Sequence, residues 1–255
     1  MCELLGMNFN QPVRCTFSFR GFRHRGVNNP HGWGIARYEG NVCQIFKEPL
    51  NAARSQLADF LGNYDKFSSK MFIGHVRFAT RGNLLLENTH PFSRTFRKRE
   101  VVLAHNGTVN ISQGILGATS LKFRPIGQTD SEYLMCALLT EFSSRRIQFS
   151  DFHAIENLLR QVNTTGNMNL IFSEGEHLYC YRDQNGHNGL CWTERCSPFS
   201  GKVSLQDEDW EIRLADEKSV DQHGYVIASH PLTNEKWHDV SPGKMLVLKD
   251  GQLIY

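Results

Sequence analysis

The 255-residue sequence predicts an α+β fold built mainly from antiparallel sheet, and three observations lead there. Runs rich in β-branched and aromatic residues meet at tight-turn dipeptides, the pattern of hairpins. Amphipathic stretches at helical spacing are few. They fall between groups of strands instead of alternating with them one by one, which argues against a doubly wound parallel sheet. No linker or low-complexity tract divides the chain, so residues 1–255 are expected to form one domain.

Taken in order, residues 12–25 carry Val13, Phe17 and Phe19 among arginines and fit a partly buried helix. Residues 32–47 read as two strands around Glu39-Gly40-Asn41, where glycine supplies the positive φ that a tight hairpin needs. Leu50, Leu57, Phe60 and Leu61 lie near helical spacing, and Gly62-Asn63 would end that helix. The segments 71–78 and 101–108 are short strands, each apolar before turning polar at its C-terminal end. A helix is expected from Thr129, with Glu132 three residues on in capping-box spacing and an apolar stripe through Leu134, Leu138 and Leu139. Another should run from about Phe152 to Val162, capped by Ser150 or Asp151 and buried through Ile155, Leu158 and Leu159. Two further hairpins are expected at 167–182 and 243–255, turning at Glu174-Gly175 and Asp250-Gly251.

Composition narrows the function. With 40% hydrophobic and 21% charged residues the chain is ordinary for a globular protein. A formal net charge of +2 gives no electrostatic hold on nucleic acid or an anionic membrane, so a small-molecule substrate is expected. The arginines at 20, 23 and 25 and the basic run 94–99 read as solvated surface. There is neither a signal-peptide pattern in MCELLGMNFN nor an apolar run of membrane-spanning length, and a soluble cytoplasmic protein is expected. Seven cysteines without a C-x-x-C pair read as mostly buried thiols, and Cys191 with Cys196 makes one C-x4-C pair that lacks a second. Neither a metal nor a cofactor is expected, since no zinc-ligand, P-loop or dinucleotide glycine pattern occurs.

The residue richest in chemical meaning is Cys2. Removal of Met1 would place a thiol and a free α-amine on one residue, with reference pKa values of about 8.5 and 7.7–8.0, so the amine could take the thiol proton near neutrality. A cysteine at this position also fits a buried terminal strand. What separates the two readings is an ordered set: Cys2-Glu3-Leu4-Leu5-Gly6, then GHVRFATRG at 74–82, ENTHPF at 87–92, His105-Asn106-Gly107, and Thr129-Asp130-Ser131-Glu132. This set resembles the class II glutamine amidotransferases over essentially the whole chain. HGWGIARYEG and ASHPLTNEKWHDVSPGK resemble in particular the small stand-alone, YafJ-like type.

The resemblance implies an N-terminal nucleophile hydrolase fold, a four-layer αββα sandwich of two antiparallel sheets between helical layers. It implies that Cys2 attacks the γ-amide of glutamine, with the Asn106 side chain and the Gly107 amide as oxyanion hole. Fixed donors aimed at a developing negative charge are what such a reaction needs. Taken alone, Asn106-Gly107 is also a plain turn dipeptide. By the same resemblance Arg77 would grip the α-carboxylate, Asp130 the α-ammonium, and Thr80, His90 and Phe78 would line the pocket. Outside it, Arg77 reads as a surface ion pair and Asp130 as a helix-start carboxylate. Phe78, His31 and Arg81 depart from the tryptophan, aspartate and histidine common among relatives, which bears on pocket shape. Three functions follow as expectations: a glutaminase feeding a separate acceptor or synthase subunit, an amidase for γ-glutamyl compounds, and a non-catalytic amino-acid-binding module.

Overall fold

The structure is a computed structural model that describes every residue except 81, 112–120, 200, 207–209 and 218. The first half of the chain contributes strands β1 (Glu3–Arg14), β2 (Trp33–Glu39), β3 (Val42–Glu48), β4 (Ser68–Val76), β5 (Phe92–Phe96) and β6 (Arg99–Val109). Helices α1 (Thr16–His24) and α2 (Gln56–Asn63) interrupt them. Helices α3 (Asp130–Ser144) and α4 (Phe152–Asn163) then follow as a pair. After them come β7 (Gly166–Ser173), β8 (Leu178–Tyr181), β9 (Cys191–Arg195), β10 (Lys202–Ser204), β11 (Glu211–Arg213) and the one-turn α5 (Leu214–Glu217). The chain finishes with β12 (Gly224–Ala228), β13 (His238–Asp239), β14 (Met245–Lys249) and β15 (Gln252–Leu253).

Among the described residues the strands form a seven-stranded sheet in the order β13-β9-β12-β1-β4-β2-β3 and a six-stranded sheet in the order β15-β14-β8-β7-β6-β5, with β10-β11 as a separate ribbon. All pairings are antiparallel. The two-residue side-chain period sorts each strand between layers. On β6, Val102 and Ala104 enter an inner core with Leu4, Ile73, Ile171 and Cys180, so the two sheets pack face to face. Val101 and Leu103 point the other way, into a core shared with Leu134, Leu138 and Phe142 of α3 and Leu158 and Leu159 of α4. On the opposite outer face, Leu5, Met7 and Phe9 of β1 meet Phe19 and Phe22 of α1 and Leu61 of α2. These are the four layers of the αββα arrangement.

Several boundaries differ from expectation for local reasons. Residues 12–14 belong to β1, and the helix expected over 12–25 begins only at Thr16, because Val13 and Arg14 pair with Ser69 and Ser68 of β4. The helix expected from Leu50 begins at Gln56, where the Ser55 hydroxyl accepts the Ala58 amide at 2.9 Å. Leu50 and Phe60 are exposed, so the buried stripe there is Ala58 and Leu61. Thr129 caps α3 by accepting the Glu132 amide at 3.2 Å, but the Glu132 carboxylate turns to Arg94 and the Gly127 amide instead of closing a capping box. Arg94 therefore ends in an ion pair with a buried carboxylate, not on the solvated face expected for it. Asp151 sits at the cap position of α4, and its side chain accepts the Gln148 amide while forming no cap bond. Among the described residues no helix is long and apolar enough to cross a membrane.

Candidate active site

Strand β1 lies inside the seven-stranded sheet with β4 on one side and β12 on the other, which fixes its first residue firmly. Leu4 is held by Ser229, whose hydroxyl accepts the Leu4 amide at 3.0 Å and whose own amide donates to the Leu4 carbonyl at 3.1 Å. Glu3 pairs in register with Val76, the last residue of β4, so the chain leaving β4 passes directly beside Cys2. The half-buried Cys2 thiol consequently meets the Phe78 backbone twice, accepting its amide at 3.1 Å and donating to its carbonyl at 3.3 Å. Burial pushes the thiol pKa up, while the Phe78 amide, the terminal amine and Arg77 all favour the thiolate. Met1 precedes it and is 62% exposed, within reach of a processing enzyme.

Across the sandwich, β6 presents Asn106 toward the same point. Its side-chain nitrogen donates to the Cys2 carbonyl at 2.6 Å. At Gly107 a Cβ would lie 2.0 Å from the Asn167 carbonyl oxygen and 2.7 Å from His105 Nε2, so only glycine fits against the neighbouring strand. Strand β6 ends two residues later at Val109, whose amide donates to Asp130 Oδ2 at 2.8 Å. This bond ties the first residue of α3 to the strand carrying Asn106, and it uses one carboxylate oxygen of Asp130.

Arg77 is only 3% exposed, too buried for the surface ion pair that its residue type alone allows. Its backbone is pinned by Gly32 and His31, at 2.7 and 3.1 Å, and its guanidinium reaches the carbonyls of Asn83 and Gly82 at 3.3 and 3.4 Å. The other candidates divide. Phe78 is 41% exposed with its ring 5.1 Å from that of His31, and Thr80 is exposed. His90 is buried and stacked on His75 with ring centroids 4.0 Å apart. His31 accepts the Ala79 amide through Nδ1, steadying the segment after Arg77, and Arg81 lies outside the described residues.

Three imidazoles, those of His75, His90 and His105, are buried. His75 donates through Nε2 to the His105 carbonyl at 3.1 Å, and His105 donates through Nε2 to the Asn167 carbonyl at 3.2 Å. Burial lowers all three pKa values, that of His75 to about 3 and that of His90 well below the usual range. Among the described residues, His75 Nδ1 and both ring nitrogens of His90 have no hydrogen-bond partner, an uncommon condition for buried polar atoms.

One contact escapes the motif reading. Asn188 also donates to the Cys2 carbonyl, at 3.3 Å. The signal that could have found it is a second His-Asn-Gly tripeptide at 187–189, a copy of the one at 105–107.

Comparison with known proteins shows the family. The family model described as "Glutamine amidotransferases class-II" matches residues 1–255. The Escherichia coli protein YafJ is 37% identical over 253 residues, covering 96% of each chain. An amidophosphoribosyltransferase of Archaeoglobus fulgidus is 26% identical over 99% of this chain, which spans 49% of that relative. The crystal structure of a predicted glutamine amidotransferase from Pseudomonas aeruginosa superimposes with a TM-score of 0.71 at 28% identity, covering 100% of both chains. On these matches, and on an α+β architecture of two facing antiparallel sheets, the chain belongs to the class II glutamine amidotransferases, a family of enzymes.

Proposed function

We propose that this protein hydrolyses the γ-amide of glutamine through Cys2 once Met1 is removed. The freed α-amine takes the thiol proton as sulfur attacks the carbonyl carbon of the γ-amide. The carbonyl oxygen becomes an oxyanion held by the Asn106 side chain and the Gly107 amide. Collapse breaks the C–N bond, the α-ammonium returns its proton to the leaving nitrogen, and ammonia departs from a γ-glutamyl thioester. Water, deprotonated by the same amine, then releases glutamate and restores the thiol. Arg77 pairs with the α-carboxylate and Asp130 with the α-ammonium, which selects a free amino-acid head group. Thr80, His90 and Phe78 shape the remainder of the pocket. Residues 1–255 act as one unit, supported by an inner core that joins Leu4 near one end of the chain to Leu248 near the other. Its setting is the cytoplasm.

The observation that carries this reading is the 2.6 Å bond from Asn106 to the carbonyl of Cys2, which couples the oxyanion donor to the residue bearing the nucleophile. A direct test is intact mass with and without 6-diazo-5-oxo-norleucine. The expected protein lacks one methionine and gains one label on Cys2. An active protein that keeps Met1 would refute the mechanism.

A second reading, delivery of the ammonia to a separate acceptor subunit, draws on the exposed run Leu84-Leu85-Leu86 beside the Arg77 loop and on the relative that is twice this chain's span. Co-purification with an acceptor enzyme whose glutamine-dependent activity needs this chain would support it. Turnover of γ-glutamyl peptides or related metabolites in place of free glutamine, with no partner needed, would favour the free-standing amidase.

A further inference from the structure

We propose that Asn188 is a positioning residue for the nucleophile, holding the Cys2 carbonyl so that Asn106 can turn its free N–H to the oxyanion; this rests on the hydrolytic reading above. Two carboxamides converge on a single oxygen, Asn106 Nδ2 at 2.6 Å and Asn188 Nδ2 at 3.3 Å. A carboxamide nitrogen has two hydrogens. Asn106 spends one on Cys2 and has one left for substrate. As negative charge grows on the substrate oxygen, Asn106 is drawn toward it and its grip on Cys2 weakens. A buried carbonyl left without a donor costs roughly 1–3 kcal/mol, and a second donor removes that penalty from the reaction step.

The loop that delivers Asn188 is built for placement. Asn188 itself has φ 52°, a left-handed conformation that asparagine tolerates better than most residues. At the next position a Cβ would stand 2.3 Å from the Ser229 carbonyl oxygen, so Gly189 lets the loop lie against the same segment that pins Leu4. The base of the loop is Asp183, fully buried. Its carboxylate accepts the amides of Met168, Asn185 and His187 at 2.7, 2.8 and 3.1 Å and the Asn163 side chain at 2.7 Å. Burial opposes its ionisation, but these hydrogen bonds outweigh burial and hold its pKa below the ordinary value. Asn169 clamps both ends of the turn, accepting the Asp183 amide at 2.9 Å and donating to the His187 carbonyl at 2.6 Å.

Asn169 is the register partner of Asn106 across β6 and β7. One strand pair therefore positions both donors: directly through Asn106, and through Asn169 and the 183–188 turn for Asn188. Such a shared base keeps the separation of the two nitrogens constant, which a loop anchored elsewhere would not.

The test uses full-length chain whose mass begins at Cys2. Asn188→Gly keeps the left-handed backbone and removes the donor; Asn188→Asp keeps the shape and turns an acceptor toward the Cys2 carbonyl. Expected are a roughly tenfold or greater fall in kcat for Asn188→Gly, a larger fall for Asn188→Asp, glutamine KM within threefold, and melting temperatures close to the parent. Labelling by 6-diazo-5-oxo-norleucine, which needs the oxyanion hole, should slow by a similar factor. A parental kcat in Asn188→Gly, or a loss that tracks KM or melting temperature, overturns the inference. If the parent chain cleaves no γ-glutamyl amide, the hydrolytic reading falls instead. The hold on Cys2 is then read from the pH midpoint of iodoacetamide labelling, expected to shift in Asn188→Gly, and an unshifted midpoint refutes it.

Discussion

The two ends of the sandwich treat polar groups in opposite ways. At the end away from Cys2, Lys70 and Asp250 pair at 2.9 Å, Arg99 and Glu176 at 2.9 Å, and Lys249 and Glu176 at 2.5 Å, all at least partly exposed. Lys70, Asp250 and Glu176 border a cleft of about 770 Å³ that also touches Arg37, Lys66 and Glu39. At the Cys2 end, polar groups are buried, and three ring nitrogens of His75 and His90 have no partner among the described residues. A cleft rimmed by charges that already satisfy one another offers a ligand little beyond what water offers. Buried donors and acceptors awaiting partners can reward one strongly, because desolvation has been met during folding.

The sharpest way to break the comparison is Cys2→Ala. Activity on every γ-glutamyl amide should fall at least about a thousandfold, with the melting temperature little changed; retained turnover in a steady-state ammonia assay would remove the chemistry from this end. Next in size, Asn106→Ala should lower kcat roughly a hundredfold to a thousandfold with a much smaller change in KM, as expected for a donor used in the transition state.

Third comes acid. The folded pKa of His75, about 3, lies below the ordinary value of 6.5 because of burial, and His90 shifts the same way. Below about pH 6.5 the unfolded chain takes up protons that these rings refuse. The stability they contribute is complete above that pH and is lost as pH falls toward the folded values, by about 1.4 kcal/mol per unit for each ring. Thermal melts at pH 7 and pH 5 should show the loss, and replacing His90 by Phe should reduce it. An unchanged pH dependence in that variant would contradict the assignment. Smallest of all, Lys70→Ala at the far end should cost about 1 kcal/mol or less and leave kcat unaltered, since an exposed pair is screened by water. A kinetic effect there would mean that the ends are coupled.

Much of the fold was legible where one short stretch decides one feature. Glycine at 40 and 251 has φ of 60° and 76°, and both hairpins turn there as read. Thr129 caps α3, and Leu158 and Leu159 bury α4 as their spacing requires. Strand β1 was missed for a physical reason. It is buried on both faces for its first seven residues, so the apolar and polar alternation that marks a half-exposed strand is absent, and its partner β12 lies more than 200 residues away. Arg94 was misread because nothing near it in sequence announces Glu132.

From the sequence by itself came residue types and their local order: a cysteine at position 2, an Asn-Gly on a strand that turns polar, and an arginine and aspartate in motif order. Those are properties of residue type and local spacing, which a chain carries whether folded or not. Only the tertiary structure decided that Asn106 and Asn188, 82 positions apart by their numbers, share the Cys2 carbonyl, and that His90 stacks on His75. Those outcomes depend on the register of β1 against β4 and of β6 against β7. Slipping either by one residue would turn every side chain of that strand to its other face, and no local signal fixes a register formed between distant segments.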